Sequence, residues 1–199
     1  MQIILASQSP RRKELLGQMG ISDFIIRPAV GEEKAAPGLT PAQLVEALSL
    51  HKGLEVASTA PGDLVIAADT VVAVDGQVLG KPHSKEEAVQ MLTALSGRTH
   101  TVYTGVTLCR DGDVLTEHEA TQVRFRPLTA REIEAYVATG EPMDKAGSYG
   151  IQGYGALLVE GIEGDYSNVV GLPVCRLGRM LARFGVDALA LAAQKEQKQ

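Results

Sequence analysis

The chain has 199 residues, 45% of them hydrophobic, which is enough for one large domain or two fused lobes with a sizeable core. No apolar run approaches a membrane span, and residues 1–16 put apolar side chains before charged ones, the reverse of an export signal. The formal net charge of −5 and the 4% aromatic content argue against a nucleic-acid partner, which would favour a basic or aromatic-rich surface, whereas a local basic pocket in such a chain suits a small anion.

The first element is a short apolar strand at Ile3 to Leu5, followed by a hydroxyl-rich loop and a helix from about Pro10 to Met19. Ser9 suits its N-cap and Pro10 its first position. A helix start carries partial positive charge and favours Asp or Glu, yet Arg11, Arg12 and Lys13 crowd this one. That arrangement becomes favourable when an anion sits among the free N–H groups and the guanidinium forks. Residues 7–12 therefore read either as a phosphate cradle or as a solvated basic turn.

An extended piece at Phe24 to Arg27 leads to a loop with Glu32 and Glu33. Thr40-Pro41-Ala42-Gln43 opens a second helix with a capping box. Leu64 to Val74 is a long apolar strand, turned at Asp75-Gly76 into a hairpin with Gln77 to Leu79. Ser84 to Glu87 is another capping box, and its helix ends at Ser96-Gly97. Thr99 to Cys109 and Val114 to Phe125 form a hairpin around Asp111-Gly112. Thr129 to Glu132 caps a helix that stops at Gly140. A glycine-rich loop, 147–155, leads to an expected strand at Ala156 to Glu160, and Pro173 starts a last helix ending near Gly185. Residues 194–199 read as a frayed tail. Hairpins among helical crossovers predict an α/β chain with a mixed central sheet flanked by helices, divided near residue 80. Cys109 and Cys175 form no CxxC pair and read as buried thiols of a reducing cytoplasm. His51, His83, His100 and His118 lack metal-ligand spacing and read as surface or interface residues.

Three places look chemical. Asp69 sits in an otherwise apolar strand, where a carboxylate is costly unless paired, protonated or metal-bound. It is a candidate general base, or else a structural Asp that accepts backbone N–H groups. Lys81, in Leu79-Gly80-Lys81-Pro82, is a candidate phosphate contact, although Gly76 to Pro82 departs from a P-loop in glycine spacing and in lacking Ser or Thr. The segment 144–155 has glycines at 147, 150, 153 and 155, which permit close approach to a ligand, and Gln152 has both donor and acceptor for a base edge. An ordinary glycine turn is the alternative there. Glu32 and Glu33 could supply a carboxylate to Mg²⁺ beside phosphates.

Taken together, Leu5-Ala6-Ser7-Gln8-Ser9-Pro10-Arg11-Arg12, Ala68-Asp69-Thr70, Leu79-Gly80-Lys81-Pro82, Ser96-Gly97-Arg98-Thr99-His100 and the run from Asp144 to Gly153 resemble the Maf-like nucleoside triphosphate pyrophosphatases, the septum-formation inhibitor family. The likeness covers Ile3 to about Gly185. It implies a mixed α/β fold with two lobes around a cleft, a homodimer, and the reaction NTP + H₂O → NMP + pyrophosphate with a divalent metal, Mg²⁺ or Mn²⁺. The form Asp-Lys-Ala-Gly-Ser-Tyr-Gly-Ile-Gln-Gly is similar to the branch acting on dTTP and UTP. By that resemblance Asp69 is the proton acceptor, Arg12, Thr70 and Gln152 shape base choice, Ser7, Lys52 and Lys81 meet phosphate, and Glu33 with Asp69 holds the metal. The rival readings are the sister branch acting on 7-methyl-GTP and a non-catalytic nucleotide-binding regulator of cell division.

Overall fold

The computed structural model describes residues 1–31 and 36–196. In chain order the elements are β1 (Ile3–Leu5), α1 (Pro10–Gln18), β2 (Phe24–Ile26), α2 (Pro41–Ala57), β3 (Leu64–Val74), β4 (Gln77–Leu79), α3 (Lys85–Leu95), β5 (Thr99–Arg110), β6 (Asp113–Phe125) and α4 (Ala130–Ala138). Three 3-10 turns follow at Glu141–Asp144, Ala146–Ser148 and Tyr154–Leu157, then β7 (Val159–Glu163), α5 (Tyr166–Val170), α6 (Val174–Arg183) and α7 (Ala188–Glu196).

The helix starts follow their capping residues. Thr40 and Gln43 reciprocate as a capping box on α2, as do Thr129 and Glu132 on α4, so orphan N–H groups are satisfied locally. At α3 the exchange is spread over one more residue: Ser84 accepts from the Glu87 N–H, while Glu87 accepts from the N–H of His83. The β3–β4 turn puts Asp75 and Gly76 at φ 50° and 75°, the pair of left-handed residues a two-residue hairpin requires.

The sheet is mixed. Its order is β2-β1-β3-β5-β6-β7, with β4 added to β3. β1 lies parallel to both β2 and β3, whereas β3–β4 and β6–β7 are antiparallel. The chain divides into two units, neither of them contiguous. The first comprises Met1–Asp69, Thr104–Glu119 and Gly171–Gln199, and the second Thr70–Tyr103 and Ala120–Val170, in place of a single break near residue 80. In the first, Ile4, Ala6, Val65, Ala67 and Cys109 bury against Val56 of α2 and Ala60. In the second, Val72, Val102, Val123 and Phe125 bury against Leu92 and Leu95 of α3 and Ile133 and Val137 of α4.

Several expectations are corrected. The run from Ala156 is a 3-10 turn through Leu157, and the strand begins at Val159: an isolated apolar run after glycines fits either state. Pro173 is the N-cap of α6 and not its first residue. Neither α5 nor α7 is among the expected elements. Cys175 is exposed, while Cys109 is buried. His100 is buried, which corrects its reading as a surface residue.

Candidate active site

In the first unit the loop after β1 is organised by hydroxyls. Ser9 caps α1 by accepting from the Arg12 N–H at 3.4 Å, and the Ser7 Oγ accepts from the Ser9 N–H at 3.2 Å. Ser7, itself buried, also accepts from Nη1 of Arg12 at 3.2 Å, and Arg12 Nε donates to the Gly171 carbonyl at 2.8 Å. The guanidinium is thus oriented at the helix start, and the first turn contains no acid.

The parallel register pairs Leu5 with Ile66, and the Ala6 N–H donates to the Ile66 carbonyl at 2.8 Å. Continued, that register sets Ser7 beside Ala68, next to Asp69. Ligand sites of parallel sheets gather where strands end at their carboxyl side, and β1 ends here. Asp69 is buried, and its Oδ1 accepts from Lys52 Nζ at 2.5 Å, with side-chain exposures of 12% and 15%. The partner that burial demands is therefore an ammonium from α2. Two glycines let α2 come this close. A Cβ on Gly53 would lie 3.1 Å from Cys109 Sγ, and one on Gly105 only 2.2 Å from the Val45 carbonyl oxygen.

In the second unit three of the sequence segments meet. The Gly147 N–H donates to the Gly80 carbonyl at 3.0 Å, tying the glycine-rich segment to Leu79-Gly80-Lys81-Pro82. His100 Nε2 and the Tyr149 hydroxyl are 2.8 Å apart, tying it to Ser96 through His100. His100, Phe125 and Tyr149 stack edge to face in a closed trio. Burial pulls the His100 imidazole down to a pKa of about 4, so the ring is neutral at pH 7. Gly147 has φ 67° and a backbone so near β3 that a Cβ would be 2.7 Å from Val72.

The turn carrying Gln152 is held by Glu141. Its carboxylate accepts from the N–H groups of Tyr154 at 2.9 Å and Gly155 at 3.0 Å, and from the Tyr136 hydroxyl at 2.8 Å. Tyr136 in turn accepts from the Gly150 N–H at 3.1 Å. Burial pushes the Glu141 carboxyl up, but these donors outweigh it and its pKa is lowered overall.

The sequence from residue 2 to 184 matches the family model described as Maf-like protein. The chain belongs to the Maf family. Among its relatives in this family it is 55% identical to the dTTP/UTP pyrophosphatase of Symbiobacterium thermophilum, covering 92% of this chain and 94% of that one. It is also 55% identical to the dTTP/UTP pyrophosphatase of Moorella thermoacetica, covering 94% and 96%, and 51% identical to that of Bacillus pumilus, covering 93% and 97%. A solved dITP/XTP pyrophosphatase from Mycobacterium abscessus is similar at 17% identity, with a TM-score of 0.47 over 92% of this chain and 98% of that one. α7 lies beyond the region the Maf model matches.

Of the residues expected from the sequence, Ser7, Arg12, Lys52 and Asp69 fall in the first unit of this Maf chain, and Thr70, Lys81 and Gln152 in the second. Lys81 and Gln152 are exposed and Thr70 is half-buried. Glu33 lies outside the described residues. No motif or spacing in the sequence points to Glu141 or Tyr136, which act on the glycine turn from 3-10 and helical positions. Lys52 is indicated only by the family resemblance, because no spacing links residue 52 to residue 69. Among the described residues no three His, Cys, Asp or Glu side chains cluster as a metal cage. The residues still fit Mg²⁺ or Mn²⁺: such an ion takes one or two carboxylates and completes its shell with phosphate oxygens and water, and Asp69 is a hard oxygen donor already fixed by Lys52.

Proposed function

We propose that this chain hydrolyses dTTP and UTP at the α–β phosphoanhydride, giving the monophosphate and pyrophosphate, with Asp69 as the base that takes the proton of the attacking water. The observation that carries the reading is the buried Asp69 held by Lys52, one residue beyond the position that the β1–β3 register sets opposite Ser7. The names of the relatives support the substrate class.

Attack on a polyanion requires its charge to be cancelled and the water to be aligned. Arg12, with its guanidinium oriented by Ser7 and Gly171, and the start of α1 bind phosphate oxygens. Lys52 fixes the Asp69 rotamer and offsets its charge as the triphosphate arrives. Lys81 adds a point charge. A divalent ion, when bound through Asp69 and Glu33, supplies charge neutralisation to the phosphate oxygens. Thr70 and Gln152 choose the base, with Gln152 offering one donor and one acceptor to a pyrimidine edge. A homodimer and a cytoplasmic location belong to the same reading.

The test is pyrophosphate release from dTTP, UTP, CTP and 7-methyl-GTP with Mg²⁺ or Mn²⁺. Asp69→Asn should keep the folded circular dichroism spectrum and lose about 10²- to 10⁴-fold in kcat, the typical contribution of a positioned base. A folded Asp69→Asn protein with normal turnover removes Asp69 from the role. Preference for 7-methyl-GTP would assign the chain to the sister branch, and no turnover of any of the four would favour the non-catalytic regulator.

A further inference from the structure

β2 stands at one end of the sheet order, hydrogen-bonded to β1. The Arg27 N–H donates to the Leu5 carbonyl at 3.1 Å, and backbone groups alternate edges along a strand. Asp23, Ile25 and Arg27 therefore turn their N–H and C=O groups toward β1, while Phe24 and Ile26 turn theirs to the outer edge. An outer edge is a template for another strand, and proteins commonly blunt it with proline, lysine or a bulge. Asp23-Phe24-Ile25-Ile26-Arg27 has none of these within it, and Ile26 is 45% exposed. Pro28 follows immediately and ends the ladder.

We propose that β2 is the surface through which two copies of this chain associate, their strands running antiparallel about a twofold axis at Ile25. The sequence is complementary to itself in that register. Phe24 of each copy faces Ile26 of the other, and these are the outward-turned residues, so each pair exchanges both of its N–H···O bonds, four in all. Ile25 faces Ile25 as the closer, non-hydrogen-bonded pair that antiparallel ladders place between two bonded ones. Asp23 faces Arg27 on both sides of the axis, giving two opposite-charge cross-strand pairs. A shift by one residue ends all of this, since it puts inward-turned groups at the contact and breaks both charge pairs. The contact is isologous and closes on itself.

This surface deepens the homodimer of the reading above and rests on it. The experiment is sedimentation of the full chain over roughly 1–100 µM, a range that brackets micromolar association. Asp23→Arg and Arg27→Asp should each weaken the dimer by about tenfold or more, because each turns two attractive pairs into two repulsive ones. Mixed one to one, the two variants should form a heterodimer of near wild-type affinity, because both cross-strand pairs are again opposite in charge. Ile26→Pro removes an outward N–H and should dissociate the dimer while the circular dichroism spectrum stays native. A wild-type protein that sediments as a monomer throughout overturns the homodimer and this surface together. A dimer indifferent to both charge reversals and to Ile26→Pro overturns this surface and leaves the homodimer standing. Folded, monomeric single variants that do not pair on mixing overturn the register.

Discussion

The Lys52–Asp69 pair shows how burial and chemistry meet in one side chain. A lone carboxylate in β3 would cost several kcal/mol, and the ammonium from α2 offsets that cost. Removing one partner of a buried pair is worse than removing both, because it strands a charge. Lys52→Met should therefore lower unfolding free energy in urea by about 1–3 kcal/mol, and adding Asp69→Asn to it should return part of the loss. An additive double variant would show that the two side chains do not depend on each other. Gln152 belongs to the same scale. Gln152→Ala should flatten the preference among UTP, dTTP and CTP with little change in stability, and an unaltered substrate profile would release Gln152 from that duty.

Elements were legible where local rules decide. The capping boxes at Thr40 and Thr129 and the Asp75-Gly76 turn were readable because each is settled within four residues. What the sequence left open depends on contacts across the chain. Nothing near Ala156 distinguishes a 3-10 turn from a strand, since the choice rests on Glu141, 13 residues before Tyr154, accepting from the Tyr154 and Gly155 N–H groups. Asp69 was legible as an unusual residue, but the identity of its partner was not, because that depends on how closely α2 approaches β3 and β5. Gly53 and Gly105 permit that approach. Gly105→Ala should cost about 3 kcal/mol in chemical denaturation, since a Cβ there would be 2.2 Å from the Val45 carbonyl oxygen and backbone must move to admit it. Gly17→Ala in α1, where a Cβ meets nothing within 4 Å, should instead stabilise by about 0.5–1 kcal/mol. Equal effects at the two positions would contradict this account of helix seating.

At the scale of the whole molecule, stability carries a pH signature from His100. Its folded pKa is about 4 against an ordinary 6.5. Between those values the unfolded chain takes up a proton that the folded chain refuses, so stability falls as the pH drops through that window and is complete above it. The contribution is on the order of 2–3 kcal/mol. His100→Phe should be weaker than wild type at pH 7, having left the Tyr149 hydroxyl without its imidazole partner, but should lose less between pH 7 and pH 4.5. Parallel losses in urea titrations of both proteins would place the pH dependence elsewhere.

The interleaving of the two units sets a condition on biosynthesis. The first unit draws on residues at both ends of the chain and on a hairpin from the middle, so a nascent polypeptide cannot complete it until Gly171 and the residues after it have left the ribosome. The second is complete once Val170 has emerged. Domains that are contiguous can fold one after another during translation; here the amino-terminal strand and the basic helix after it must wait for the carboxyl-terminal helices, and premature termination releases a product that lacks part of its first unit.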